Sequence, residues 1–512
     1  MDKACRILES EDYSFPSVTT RPKLSKSRFL SGAQCHLRLW YDYHARDLAA
    51  EPDDTLQAVF DTGHEVGELA CERYPGGHFI AHDHWHIPDA LAETRKVLEE
   101  GAAPALFEAA FVHQGLLARA DVIERLPGGG WRLIEVKSTT RLKDIFVLDA
   151  AFQLCVLRGA GLDVRDAAVM TLDRSYVYDG ERLDLDALFK LHDVFEQAEA
   201  FFDTVGGQAR EMQALIADAA PPEIAPGDHC FTPYECPYYA HCTRDRVSPD
   251  HGIGELPRLR ASRRAQLQDA GVEEIRDIPN EFPLTRLQHV VRRAVQEQNA
   301  VVHGDISERL AGLAPPVRYL DFETFAPAIP RFAGTRPYDS VPFLFSVHTE
   351  RNGYPPEHTD YLHKQDDDPR PRLAYRLLEA VGTEGSICTY SGYERQVLNT
   401  LAAALPDRSD ELAAVSARLF DLLPVVRNTW YHPEFRGSFS IKNVLPVLVP
   451  GMDYGDLSVP DGQTASARYV QALRSPDGRE RQRTFADLRA YCERDTLAMV
   501  RMRQALGALQ SG

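Results

Sequence analysis

The residues best placed to do chemistry are acidic. Asp121 lies in ARADVIE, and Glu135 and Lys137 lie in LIEVKS, two β-like runs separated by the glycine turn LPGGG. Successive side chains of a strand point to opposite faces, so Glu135 and Lys137 share one face, and pairing of the two runs as a hairpin can set Asp121 beside them. Two carboxylates, with the Val136 carbonyl, suit a hard octahedral cation such as Mg²⁺ or Mn²⁺. Such a cation acidifies a bound water and offsets the charge that builds on a phosphate under attack. An ammonium at Lys137 can orient that water or stabilise the same charge. Taken alone, E-x-K on a strand edge is more often a surface ion pair.

A second acidic pair, Asp321 and Glu323 in VRYLDFETF, follows an apolar strand with both side chains on one face. Far downstream, YCERD sets Tyr491 and Asp495 one helical turn apart, again on one face. These pieces can meet around metal. Of nine cysteines, Cys230, Cys236 and Cys242 are clustered in HCFTPYECPYYAHC, and Cys35 stands alone in SGAQCHLRLWY. In a reducing compartment, clustered thiols more often bind metal than pair as disulfides. Four thiolates suit either tetrahedral Zn²⁺ or a [4Fe-4S] cluster, and spacing does not separate the two. A link from residue 35 to residue 230 closes a loop of about 195 residues and removes roughly 5 kcal/mol of unfolded-state entropy in the simple chain model, so its first role is structural. Cys5, Cys71, Cys155, Cys388 and Cys492 have no such grouping and read as ordinary buried thiols.

The elements that must position these residues follow from periodicity. β-like runs at Phe107–His113, Leu116–Arg125 and Trp131–Lys137 precede a helical pattern over Asp144–Leu157. From about Gly252 to Val302 the composition shifts to helix formers and arginine. Two short helices around Ala270-Gly271 and a longer one fit that stretch, with Arg258, Arg260, Arg263, Arg264, Arg292 and Arg293 as local positive charge for a phosphate backbone or for a solvated linker face. From Pro315 the strand and helix signals alternate again, as in an α/β domain.

The 512 residues exceed what one core can organise and imply roughly three units at about 150 residues each. The opening MDKACRILESEDYSF lacks the apolar centre of a signal peptide, and no run approaches the roughly 18 apolar residues of a membrane span, so the expected location is the cytoplasm. Net charge is -19, against the basic balance common in nucleic-acid proteins. Local basic patches and cation-binding carboxylates soften that objection.

With these residues in this order, positions 24 to 245 resemble the PD-(D/E)XK nuclease superfamily, in particular its RecB-like and CRISPR-associated four-cysteine branch. The resemblance implies His64, in DTGHEVGELA, as a further metal ligand. It also implies Gln153, in AAFQLCVL, as the start of a Q-x-x-x-Y motif that positions substrate, with Leu157 where a tyrosine is usual. One cysteine before the core and three after it are, in that branch, the ligands of a [4Fe-4S] cluster; C-x5-C stands here where the branch has C-x2-C, and Zn²⁺ remains the alternative. The region from Pro315 resembles the DEDD exonucleases of the ribonuclease H-like fold, with Asp321 and Glu323 as the D-x-E motif and Tyr491 and Asp495 as Y-x3-D. The second motif is best matched by TYSGYERQVL, with Glu394 where an aspartate is usual. By resemblance, Asp321, Glu323, Glu394 and Asp495 hold two divalent ions while Tyr491 orients the attacking water. Asp421, in LFDLLPVVR, is expected near them.

The resemblance implies a multidomain α/β chain. Its parts are a PD-(D/E)XK restriction-endonuclease-like domain over 1–250, a helical, helix-hairpin-helix-like middle over 251–305 and a ribonuclease H-like domain over 306–512. The expected function is metal-dependent hydrolysis of DNA phosphodiesters, on single strands or ends and exonucleolytic, in repair, recombination or defence, with DNA ahead of RNA as partner, a helicase as a candidate protein partner and no membrane. The alternative, from a different class, is a nucleic-acid-binding scaffold with one or both nuclease domains inactive and a structural metal cluster.

Overall fold

The computed structural model describes residues 24–83, 85–246, 249–351 and 353–509. It is mixed α/β with several sheets. Cys5 lies outside the described residues. The chain divides into two compact units, one running up to Arg246 and including Pro327–Tyr338, the other formed by Val247–Ala326 and Asp339–Gly512.

The first unit is built on seven strands: β1 (Leu24–Ser25), β2 (His78–Phe79), β3 (Ala105–His113), β4 (Leu116–Arg125), β5 (Trp131–Lys137), β6 (Val164–Leu172) and β7 (Phe189–Asp193). Their order is β2-β3-β4-β5-β6-β7, with β1 parallel to the start of β4. The β4–β5 hairpin turns through LPGGG as the sequence predicts, and Val122 pairs with Ile134, so the same register continued one residue sets Asp121 opposite Glu135. Helices α1 (Lys26–Gln34), α2 (His36–His44), α3 (Asp54–Cys71) and α4 (Asp144–Gly159) surround the sheet. Helix α4 is buried along most of Phe146–Leu157, and Phe152 stacks on Phe29 of α1 with ring centroids 4.7 Å apart. That contact anchors α1, whose first residue is Lys26. Residues Pro327–Tyr338 belong here too: Ala328 joins the core, Tyr178 N donates to Thr335 O at 3.0 Å, and the Tyr338 hydroxyl donates to the Ser138 carbonyl.

The second unit opens with α6 (Ala261–Asp269), α5 being the short helix Tyr239–Thr243 that closes the first. A single 3-10 turn, Ile275–Asp277, stands where a second short helix was expected, and α7 (Arg286–Glu297) follows behind a Thr285–Gln288 capping box. The composition change near residue 252 does not mark a separate body. Ile253, Leu267, Ile275 and Val291 share one core with Val426, Tyr431, Phe435, Leu445 and Met502. Arg292 is buried and donates to Pro279 O at 2.9 Å, so it fixes a turn rather than adding outward charge.

Strands β8 (Val301–Val302), β9 (Val317–Phe325), β10 (Val341–Glu350) and β11 (Glu357–Leu362) come next, then α8 (Arg370–Val381), β12 (Ile387–Thr389), α9 (Tyr393–Ala404), β13 (Leu419–Asp421) and β14 (Trp430–Tyr431). Helices α10 (Ile441–Leu448), α11 (Gly462–Arg474) and α12 (Gly478–Ala508) complete the unit. The main sheet has the order β11-β10-β9-β12-β13, antiparallel through β9 and parallel beyond it. β10 is buried over Val341–Thr349 because both α8 and α12 pack on it, which is why its apolar residues run on without alternating. Among the described residues no helix is long and apolar enough to cross a membrane.

Gly437 (φ 75°) is the position where this packing most needs a missing side chain: a β-carbon there would come within 1.7 Å of the Glu255 carbonyl oxygen. Gly451 (φ 88°) has the same handedness but nothing within 4 Å. Gly451→Ala is expected to cost about 1 kcal/mol from backbone strain alone, and Gly437→Ala at least about 3 kcal/mol from added collision. Urea midpoints of the two variants measure the difference, and equal midpoints would refute this account of the packing.

Candidate functional site

The first cluster gathers at the C-terminal end of β5. Glu135, 1 % exposed, accepts from Lys137 Nζ at 2.6 Å and from Gln153 Nε2 at 2.5 Å. Asp121 lies across the hairpin and accepts from Val136 N at 2.8 Å. Asp121, Glu135, Lys137 and Gln153 are thus brought together as the sequence predicts. Two members escaped sequence reading. Asp149, one turn before Gln153 on α4, pairs with Lys137 at 2.8 Å and accepts from Gln153 at 3.0 Å. Lys26 reaches both Glu135 oxygens, at 2.9 and 3.1 Å, and lies 3.5 Å from Asp121. Asp149 carried a signal: it and Gln153 are the polar exceptions, four residues apart, in a helix otherwise apolar nearly all round, and buried polar groups need partners. Lys26, 109 residues from Glu135, had none.

Burial pushes the Asp121 carboxyl up to about 7, with Glu135 adding and Lys26 and Lys137 opposing. Burial pushes Glu135 up too, but Lys137 and Lys26 outweigh it and hold that carboxyl below the usual range. Asp149 is raised by burial and by Glu135. Both lysines rise because the acids more than cancel the cost of burying their charge. His64 is not drawn in. It stands exposed on α3, next to Gly63 where the helix passes Ser138, and among the described residues it makes no hydrogen bond or ion pair to these acids. Leu157 is fully buried in the core, an apolar role that accounts for the missing tyrosine.

The second cluster is more acidic. β9 carries Asp321 and Glu323 on one face, and α12 lies across β9 and β10 and delivers Tyr491, Cys492 and Asp495. Asp321, Glu323 and Cys492 each offer a ligand atom within 4.8 Å of the others, and the Cys492 thiol lies 3.5 Å from Asp321 Oδ2. Cys492 is therefore a member of the acid cluster, not an ordinary core thiol. Glu394, in the first turn of α9, is 4 % exposed, and its Oε2 is buried without a hydrogen-bond partner. Burial raises every acid here. Asp495, Glu323 and Glu394 add to the rise at Asp321, Asp495 adds at Glu323, and Glu394 reaches about 8 with Asp421 and Asp495 contributing. Asp495 stops at about 6 because the Tyr454 hydroxyl donates to it at 2.5 Å and Lys442 stands near. Lys442 lies over the rings of Tyr454 and Tyr491, 5.6 and 5.4 Å from their centroids. Tyr454 and Lys442 had no motif to announce them. Hard oxygen donors, mutual repulsion and an orphaned buried oxygen together make a donor set that fits divalent cations.

All four expected cysteines line one small cavity, beside Arg38, Tyr41, His229 and Tyr238. Cys35 stands at the α1–α2 junction, Cys230 ends a 3-10 turn and Cys242 sits on α5. Burial pushes the Cys236 and Cys242 thiols up, and the neighbouring sulfurs add to it. No three of the four sulfurs lie within 4.8 Å of one another. One tetrahedral Zn²⁺ with bonds of ~2.3 Å draws four sulfurs to within ~3.8 Å of one another. A cluster spreads its ligands over several irons and needs the wider cage. Cys71 and Cys155 are half-buried and Cys388 buried, and none of them lines this cavity.

A family model described as a domain of unknown function, DUF2779, matches residues 318–440, which include Asp321, Glu323 and Glu394. No curated protein and no solved structure matches the chain.

The raised acids have a consequence for stability. An acid whose pKa is higher in the folded than in the unfolded chain keeps a native proton that the unfolded chain has lost, so between the two values stability falls as pH rises. For Asp495 and Glu394 that window runs from the ordinary carboxylate range to about 6 and about 8. In chelator, the second unit is expected to lose more than about 2 kcal/mol between roughly pH 5 and pH 8. Mn²⁺ at the upper pH is expected to restore it. A flat profile in urea melts, or one that rises, contradicts the placement of these acids.

Proposed function

We propose that this protein is a metal-dependent nuclease with one hydrolytic centre in each unit, the first of the RecB-like PD-(D/E)XK type and the second of the ribonuclease H-like DEDD type. The observation that carries the reading is the gathering of half-buried Asp321 with buried Glu323, Glu394 and Asp495 in one cluster, drawn from β9, α9 and α12. Carboxylates packed this way at neutral pH call for cations. Asp121 and Glu135, with the Val136 carbonyl, are the matching donors of the first centre, and divalent ions held at the two sites supply an acidified water and offset charge on the scissile phosphate.

The chain's own groups do the rest. Glu135 and Asp149 hold the Lys137 ammonium charged, ready beside a phosphate oxygen or an attacking water. Gln153 locks Glu135 in place. In the second centre, burial and the charges of Asp495, Glu323 and Asp321 keep the Tyr491 hydroxyl protonated, so it can donate to and orient a water but not act as a base. Glu394 replaces the usual aspartate with a longer arm. The substrate class we propose is DNA, single-stranded or at ends. Four sulfurs of which no three lie within 4.8 Å of one another favour a [4Fe-4S] cluster over Zn²⁺ as the tie between Cys35 and the Cys230–Cys242 loop.

Two measurements test this. On end-labelled single strands with Mn²⁺, Lys137→Ala and Asp495→Asn are each expected to remove one strand-cleavage activity by at least about a hundredfold and leave the other; unchanged cleavage in both would refute the enzyme reading in favour of a binding protein. Anaerobically purified protein is expected to be brown, with broad absorbance near ~400 nm that Cys35→Ser diminishes. A colourless protein containing zinc would overturn the cluster assignment alone.

A further inference from the structure

Lys26 occupies an unusual place in the first cluster. Its ammonium contacts both oxygens of Glu135, at 2.9 and 3.1 Å, and lies 3.5 Å from Asp121 and 4.0 Å from Asp149. Asp121 and Glu135 are the two carboxylates that the proposed reading makes metal ligands, and the ammonium sits between them. Glu135 has little left to offer a further cation: Oε1 is shared by Lys26 and Lys137, and Oε2 by Lys26 and Gln153. Of these three partners, Lys137 and Gln153 are hydrogen-bonded to Asp149 at 2.8 and 3.0 Å, whereas Lys26 stands off from it at 4.0 Å and comes from the first position of α1, next to a two-residue strand. Lys26 is thus the partner whose release disturbs the least structure.

We infer that Lys26 is a tethered stand-in for the divalent ion of the first centre, its ammonium holding the seat between Asp121 and Glu135, so that the ion enters only by displacing it. Charge counting favours the exchange. With all three acids ionised, three carboxylates against two ammoniums leave one negative charge; replacing the Lys26 ammonium by a divalent ion brings the cluster to neutrality. The tether explains how so many buried acids coexist when no ion is bound, and it sets a threshold of metal concentration for the first centre that the second, with no ammonium lodged among its acids at such distances among the described residues, does not share. The displaced lysine remains on α1 beside the site, a charge available to a phosphate. This inference rests on the two-centre reading above.

The test uses the full-length protein with Asp321→Asn and Asp495→Asn, so that metal binding reports on the first centre. Bound Mn²⁺ is measured from the loss of the free ion's EPR signal, and thermal stability is followed with and without Mn²⁺. Lys26→Met is expected to bind Mn²⁺ at least about tenfold more tightly than the parent, a difference worth ~1.4 kcal/mol, to melt lower than the parent without metal, and to gain more from Mn²⁺. The tighter binding and the larger gain from Mn²⁺ should vanish when Asp121→Asn is added. Equal or weaker binding by Lys26→Met, with binding still dependent on Asp121, overturns the inference and leaves the nuclease reading standing. Absence of Asp121-dependent binding in every variant overturns both. If Lys26 were only a structural ion pair, its loss would lower the melting point without any greater rescue by Mn²⁺.

Discussion

A carboxylate taken out of water must be met by a cation, a proton or hydrogen-bond donors, and both acidic clusters are shaped by that demand. In the first, two lysines meet it: Glu135 can be 1 % exposed because Lys137, Lys26 and Gln153 surround it. In the second, Tyr454 and Lys442 serve Asp495, while Asp321, Glu323 and Glu394 are left to protons. The fold around each cluster is the apparatus that enforces the burial. Helix α4 seals the first by packing Phe152 on Phe29, and α12 seals the second by lying along the fully buried β10.

What was legible in the sequence was what lies within one element or one turn. The β4–β5 hairpin was readable because LPGGG separates two alternating runs, and its register followed from strand geometry. The one-turn spacing of Tyr491 and Asp495 was readable for the same reason. Lys26 and Lys442 were not, because each arrives through packing of a helix whose docking no local pattern encodes. Arg292 shows the opposite error. Its position among arginines suggested outward charge, yet on α7 it falls on the buried stripe with Val291 and Val295 and is spent on the Pro279 carbonyl. His64 lies on α3 at an exposed position, the buried ones there being Val66 and Ala70, and among the described residues no contact ties it to the acids it was expected to join.

The chain divides after Arg246, close to the expected boundary at 250, but the expected boundary at 305 does not set off a separate middle, for a related reason. Composition records which residues a segment prefers, whereas a unit is defined by which apolar faces meet. The arginine-rich stretch is polar on average, but Ile253, Leu267, Ile275 and Val291 fall on one side and complete a core supplied by Val426, Leu445 and Met502. The cysteine loop makes the same point about cross-links. Gln34 donates to the carbonyls of His229 and Tyr234 at 2.8 and 2.7 Å, the Tyr238 hydroxyl to Asp42 at 2.8 Å, and Ala50 N to Pro237 O at 2.9 Å. These bonds already join residues 34–50 to residues 229–238. A metal group at the four cysteines therefore enters a cage the polypeptide has largely assembled, and its stabilisation falls short of the full loop-closure entropy of an otherwise unconstrained link.

The two clusters also differ in how much positive charge they can accept, and the difference bears on how many ions each would hold. The first has three carboxylates with Lys137 fixed among them, so one divalent ion exhausts its negative charge once Lys26 withdraws. The second has four carboxylates, with Asp421 close to Glu394 and Lys442 held over the tyrosine rings rather than between the acids. Four negative charges are balanced by two divalent ions. On the proposed reading, the first centre is thus a one-ion site whose lysine supplies the second positive charge at the phosphate, and the second is a two-ion site that has no need of one. The contrast comes from a single substitution of parts: an ammonium on a strand next to its acid in one case, and a further carboxylate delivered by a helix in the other.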